Sequence, residues 1–120
     1  MVGCGDLGAR IALGLIAAGA DVCSLTRNPV GGIPVRSLIG DVSLPASLPA
    51  LPESLTELVY CLTPAARDEA HYRLAYVEGL RHVLAHFGIA PLPRITFISS
   101  TAVYGDMAGA WVDESNECRP

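Results

Sequence analysis

The chain has 120 residues, 51% of them hydrophobic, with a formal charge of −4 and a pI near 5.2. That length suits one domain, and the apolar fraction excludes a disordered chain, which could not bury enough surface to offset the entropy of ordering. All eight cationic side chains are arginines without a basic stripe, which argues against a nucleic-acid partner, and the longest apolar stretch, Ile11 to Ala20, is too short for a bilayer that needs about 20 residues.

Met1-Val2 reads as the stub of a first strand, short against the roughly five or six residues usual for a buried one. The chain is therefore expected to be the front portion of a longer protein. Gly3-Cys4-Gly5-Asp6-Leu7-Gly8 follows. Leu7, Ile11 and Leu15 then recur every four residues and predict one face of a helix that stops near Gly19. Val22 to Thr26 predicts a second strand, broken by Asn28-Pro29 and Gly31-Gly32. Val35 to Val42 predicts a third strand, but the stretch before it is too short for the crossover helix that a parallel connection normally uses.

Residues 43–56 carry three prolines and read as a loop with room for a short helix. Glu57 to Leu62 predicts a fourth strand, closed by Thr63-Pro64. Asp68 is placed to cap a long helix whose apolar positions, Ala70, Leu74, Val77, Leu80, Leu84 and Phe87, recur by threes and fours up to Gly88. Pro91 and Pro93 make a tight connection to Ile95-Thr96-Phe97-Ile98, a predicted fifth, buried strand. Residues 105–120 read as loop. Strands alternating with helices predict an α/β fold, a Rossmann-like doubly wound parallel sheet, incomplete at both ends, with residues 1–120 forming one dinucleotide-binding domain. Ligands of such sheets sit at the carboxyl ends of the strands.

The four cysteines, at 4, 23, 61 and 118, lack the paired spacing of a zinc site. Cys23 and Cys61 fall in predicted core strands, where a thiol serves as a small apolar group. Reduced cysteines in an acidic domain suggest the cytoplasm. His82 and His86 are four apart, but no third ligand presents itself, so no metal is expected. Together with His71 they read as surface or groove residues of the long helix.

Gly3, Gly5 and Gly8 match the pattern G-x-G-x-x-G. The first permits the sharp turn off the strand, the second lets the backbone approach a diphosphate, and the third lets the helix pack against the sheet. Free N–H groups at the helix start then face the anion, so Gly3, Gly5, Asp6, Leu7 and Gly8 are the expected dinucleotide contacts. Asp21 lies about 20 residues on, but at the wrong end of the second strand to meet a ribose. Arg27, at the correct end, can pair with a 2′-phosphate, which favours NADP over NAD. Asp41 is placed either to touch the adenine edge or to form a turn. Leu62 and Thr63 border the cofactor's path.

Ser99-Ser100-Thr101 ends the fifth strand, where a hydroxyl can orient a substrate oxygen or simply satisfy loop backbone. The string Ser99-Ser100-Thr101-Ala102-Val103-Tyr104-Gly105-Asp106 resembles the S-S-x-x-V-Y-G motif of extended short-chain dehydrogenases/reductases, the NAD-dependent epimerase/dehydratase family. Tyr76 to Leu84 resembles that family's N-V-x-G-T-x-N-V-L helix, and the whole is most similar to its atypical bacterial branch typified by the YeeZ protein. The resemblance implies an oxidoreductase acting on a hydroxyl or carbonyl, such as that of a nucleotide-sugar, with Ser100 as active-site serine. The family's Tyr-x-x-x-Lys cannot occur in a chain without lysine. The chain alone is therefore expected to be catalytically incomplete. A noncatalytic, cofactor-sensing dinucleotide module is the alternative.

Overall fold

The computed structural model describes residues 1–87 and 94–120. Strand β1 (Cys23–Thr26) pairs in parallel with β2 (Arg36–Ile39), and β3 (Glu57–Tyr60) pairs in parallel with β4 (Arg94–Phe97). Val2 joins the two pairs, with parallel bridges to Leu25 on one side and Tyr60 on the other. Its amide donates to the Val59 carbonyl at 2.8 Å and its carbonyl accepts from the Cys61 amide at 2.8 Å. The lateral order is thus β2, β1, Val2, β3, β4, and the predicted first strand is a single bridging residue.

Helix α1 (Asp6–Ala17) opens directly after the glycine turn and ends at Gly19, whose φ of +90° is a left-handed stop that glycine adopts without strain. Its buried residues are Gly8 and Ala12, while Leu7 is 51% exposed. The packed face is therefore one position on from the predicted Leu7, Ile11, Leu15 stripe. At Gly8 the lack of a side chain lets the helix approach the Gly3 backbone and Met1.

No helix forms between β1 and β2, and residues 27–35 cross as a loop. The Val30 amide donates to Ser37 Oγ at 3.1 Å, which ties the middle of that loop to β2. The third and fourth strands are shorter than Val35–Val42 and Glu57–Leu62 predict, because both chains turn away at their carboxyl ends. A 3-10 turn at Pro45–Ser47 is the short helix in the 43–56 loop.

The long helix is built in three parts: α2 (Glu69–Arg73), a π-helical turn (Leu74–Glu78) and α3 (Gly79–Phe87). Asp68 caps it, its Oδ1 accepting from the His71 amide at 2.9 Å. The Tyr60 hydroxyl donates to the Ala75 carbonyl at 2.5 Å, inside the π turn. Gly79 faces the same hydroxyl, and a Cβ there would lie 2.7 Å from it and 2.8 Å from Val42 Cγ2. A π turn lets one face of a helix adjust around such an obstruction. As a result Ala75, Gly79 and Val83 are the buried residues, and Leu74 and Val77 are exposed. The predicted stop at Gly88 and the turn at Pro91 and Pro93 lie outside the described residues.

Val2, Leu25, Leu48, Leu58, Tyr60 and Val83 form the core, with Leu38, Val42, Leu80 and Phe87 packed around it. His82 Nδ1 meets the Val42 carbonyl at 2.7 Å and His86 Nε2 meets the Pro49 carbonyl at 2.8 Å, so both imidazoles fasten α3 to the 42–49 loop. The predicted burial of the fifth strand is wrong. All four residues of β4 are exposed, Ile95 and Phe97 by 37% and 38%, and among the described residues the strand pairs with β3 alone. Phe97 still stacks on Tyr60, with ring centroids 5.5 Å apart. Among the described residues no helix is long and apolar enough to cross a membrane.

Candidate functional site

The carboxyl ends of the central strands, together with the glycine turn, enclose an open cleft of about 610 Å³. Gly3, Gly5, Asp6, Leu7 and Gly8 form one wall, and Arg27 and Asp41 reach it from the loops after β1 and β2. Leu62 and Thr63 reach it from the segment after β3. The nine residues expected from the sequence to touch a dinucleotide therefore line a single cavity.

The three turn glycines are present for different reasons. Gly3 has φ +83°, and a Cβ there would collide with the Cys61 carbonyl. A Cβ on Gly8 would lie 2.9 Å from the Gly3 carbonyl oxygen. Both are required by the protein's own packing. Gly5 is different: its φ of −75° and extended ψ suit any residue, and a Cβ would meet nothing within 4 Å. No feature of the fold requires glycine at this position.

Gly5 is also the N-cap of α1, and no side chain caps that helix end. The first intrahelical bond runs from the Ala9 amide to the Gly5 carbonyl at 2.8 Å, so the amides before it have no helical acceptor. An uncapped helix start with a bare backbone beside an open cleft is a competent anion cradle.

The other walls have their own electrostatics. Asp41 Oδ1 accepts from the Ser43 amide at 2.8 Å and the Ser43 hydroxyl at 2.7 Å. These bonds, helped by the nearby Arg27 guanidinium, hold the Asp41 carboxyl below its ordinary value. Asp41 is thus a turn former that also borders the cleft. Cys4 and Cys61 both face the cavity, and burial pushes each thiol upward, so they present neutral sulfur. Cys61 lies one residue beyond β3, partly exposed, rather than in the core strand expected for it.

Ser100 is not among the residues lining this cleft. Its hydroxyl accepts from the Ala102 amide at 3.2 Å and caps the 3-10 turn Thr101–Tyr104. Gly105, with φ +68°, packs against the Arg119 carbonyl, and the Arg119 amide donates to the Val103 carbonyl at 2.8 Å. The serine segment and the end of the chain thereby hold each other.

Sequence reasoning did not include His71 in the site. It lines the cleft beside Leu74 and Ala75, with Nδ1 2.8 Å from both carboxylate oxygens of Asp68.

No protein-family model matches the chain, and no curated protein matches it. Among solved structures, it is similar to a proposed NAD-dependent epimerase/dehydratase from Methylobacillus flagellatus, at 35% sequence identity and a TM-score of 0.71 over 98% of this chain. The chain spans 42% of that protein's length. This likeness supports the epimerase/dehydratase family for the chain, in agreement with the resemblance carried by the serine motif.

Proposed function

We propose that residues 1–120 form a Rossmann-like, doubly wound dinucleotide-binding unit whose cleft holds NAD(P) by its diphosphate. The carrying observation is Gly5: the protein's packing does not need a glycine there, whereas a ligand lying on the α1 amides does. The cavity volume falls within the ordinary range of cofactor clefts, and its lining joins strand ends from both halves of the sheet. The M. flagellatus protein, by name NAD-dependent, supports the same cofactor class. Arg27, exposed after β1 and bordering the cleft, favours NADP through its fit to a 2′-phosphate.

The activity we infer is that of an epimerase/dehydratase-like oxidoreductase of the short-chain type, YeeZ-like in branch and cytoplasmic. It would act on a hydroxyl or carbonyl of a small molecule such as a nucleotide-sugar, with Ser100 orienting the reacting oxygen. A noncatalytic cofactor-sensing module is the second reading. It is favoured by the engagement of the Ser100 hydroxyl in a backbone cap.

The test is titration with NADPH and NADH, followed by fluorescence. Saturable binding of both, tighter for NADPH, is expected. Failure of both to bind a cooperatively folded sample rejects the reading. Ser100→Ala, assayed in the longest natural form of the protein, separates the two alternatives: reduced turnover with unchanged cofactor affinity supports the enzyme.

A further inference from the structure

We propose that His71, held by Asp68, is a protonation-dependent contact for the diphosphate, reaching it from the α2 side of the cleft. The inference rests on the dinucleotide reading above and deepens it.

Tautomer chemistry carries the argument. An ionised carboxylate only accepts hydrogen bonds, so the imidazole nitrogen facing both Asp68 oxygens at 2.8 Å must be the one bearing hydrogen. Asp68 is ionised, since the amide and imidazole N–H groups of His71 hold its carboxyl below the ordinary value. With Nδ1–H committed, Nε2 of a neutral His71 carries a bare lone pair. A lone pair repels a phosphate oxygen. Only the doubly protonated ring places an N–H at Nε2, and that N–H is a charge-assisted donor to an anion.

The remaining charged groups of the cleft leave this role open. Asp6 lies in the first turn of α1, where Arg10 approaches it at 3.5 Å, and Asp41 is occupied by Ser43. Both carboxylates oppose an anion. Arg27, after β1, is assigned to the 2′-phosphate. Cys4 from the turn and Cys61 from the end of β3 are neutral thiols. The diphosphate is left with the α1 amides and His71. Of these residue types only histidine ordinarily changes charge between about pH 5 and pH 8.

NAD+ is the probe of choice because it has the diphosphate but not the 2′-phosphate, a monoester whose own second pKa near 6 would confuse the profile. Its dissociation constant is measured by calorimetry at about pH 5.5 and about pH 8 for the natural chain, His71→Gln and His71→Lys. The natural chain is expected to bind roughly tenfold more tightly at the lower pH, the low end for a charge-assisted hydrogen bond. His71→Gln should bind at both pH values as the natural chain does at the higher one. His71→Lys should restore tight binding without the pH dependence. A pH dependence that survives unchanged in His71→Gln, or pH-independent binding by the natural chain, overturns the proposal while leaving the cleft's assignment intact. Absence of NAD+ and NADPH binding at either pH overturns both.

Discussion

At Gly5 two properties usually bound together come apart. Glycines in phosphate turns serve either the chain's own geometry or the ligand's approach; here Gly3 and Gly8 serve the first, Gly5 is free of that constraint, and the proposed function gives it the second. Substitutions at the two kinds of position should therefore fail differently. Gly5→Asn keeps a good capping residue at the start of α1, so thermal stability should hold or rise slightly. Its side chain would occupy the amides meant for the diphosphate, and affinity for NADPH should fall by more than about tenfold. Gly8→Val should instead unfold the protein at lower temperature, because its Cβ meets the Gly3 carbonyl. Calorimetric melting and titration on both variants check the pair, and equal loss of stability in both would remove the special status of Gly5. Ser24 gives a second prediction at this scale. Its side chain is fully buried and its hydroxyl finds no hydrogen-bond partner among the described residues. Removing a buried unpaired hydroxyl relieves a desolvation cost, so Ser24→Ala should raise stability by about 1 kcal/mol in urea unfolding.

Among the elements, the helix of residues 69–87 shows how a local collision reshapes a periodic pattern. Gly79 and Gly14 are both helical glycines, yet the first abuts Tyr60 and Val42 and the second faces open space. Gly14→Ala should stabilise by about 0.5–1 kcal/mol, the ordinary helix-propensity gain. Gly79→Ala should destabilise by about 1–3 kcal/mol through overpacking, and opposite signs in denaturant melts are the expected result. Asp68 adds a pH signature. Its folded carboxyl is held below the ordinary value, so its contribution is present above the unfolded value near 3.9 and is lost as pH falls through the folded one. The stability gap between the natural chain and Asp68→Ala should accordingly close in acid. Periodicity and punctuation in the sequence located α1, the cap at Asp68, the four strands and the glycine turn, because each depends on neighbours a few residues away. They did not locate the π turn, whose cause is a tyrosine fifteen residues earlier in the chain. Nor did they show that β4 is exposed, since an apolar strand reads the same at the centre of a sheet as at its edge. The wall of the cleft was legible because its residues follow strand ends directly. His71 was not, because its approach to the cleft depends on how α2 leaves the sheet.

For the molecule as a whole, the central question is what a ligand adds to a sheet this lightly joined. Among the described residues the Met1–Gly3 segment connects β1 to β3, with Met1 and Gly3 bonded to Leu25 and Val2 to Val59 and Cys61, and the cleft lies immediately above that connection, bounded by Gly3 on one side and Cys61 on the other. A dinucleotide across the strand ends would contact loops from both strand pairs and so oppose their separation. Binding to the folded state alone stabilises by mass action, about 2.7 kcal/mol at a ligand concentration one hundred times the dissociation constant. For a domain of this length that corresponds to a rise in melting temperature of roughly 10 °C. NADPH should reach that rise at lower concentration than NADH. Arg27→Ala should erase most of the difference by weakening NADPH alone, since the guanidinium's partner would be the 2′-phosphate. A variant that weakens both ligands equally would move Arg27 from cofactor choice to general electrostatic attraction. A cooperative melt that neither dinucleotide shifts would mean that the cleft, despite its bare helix start, does not hold this class of ligand.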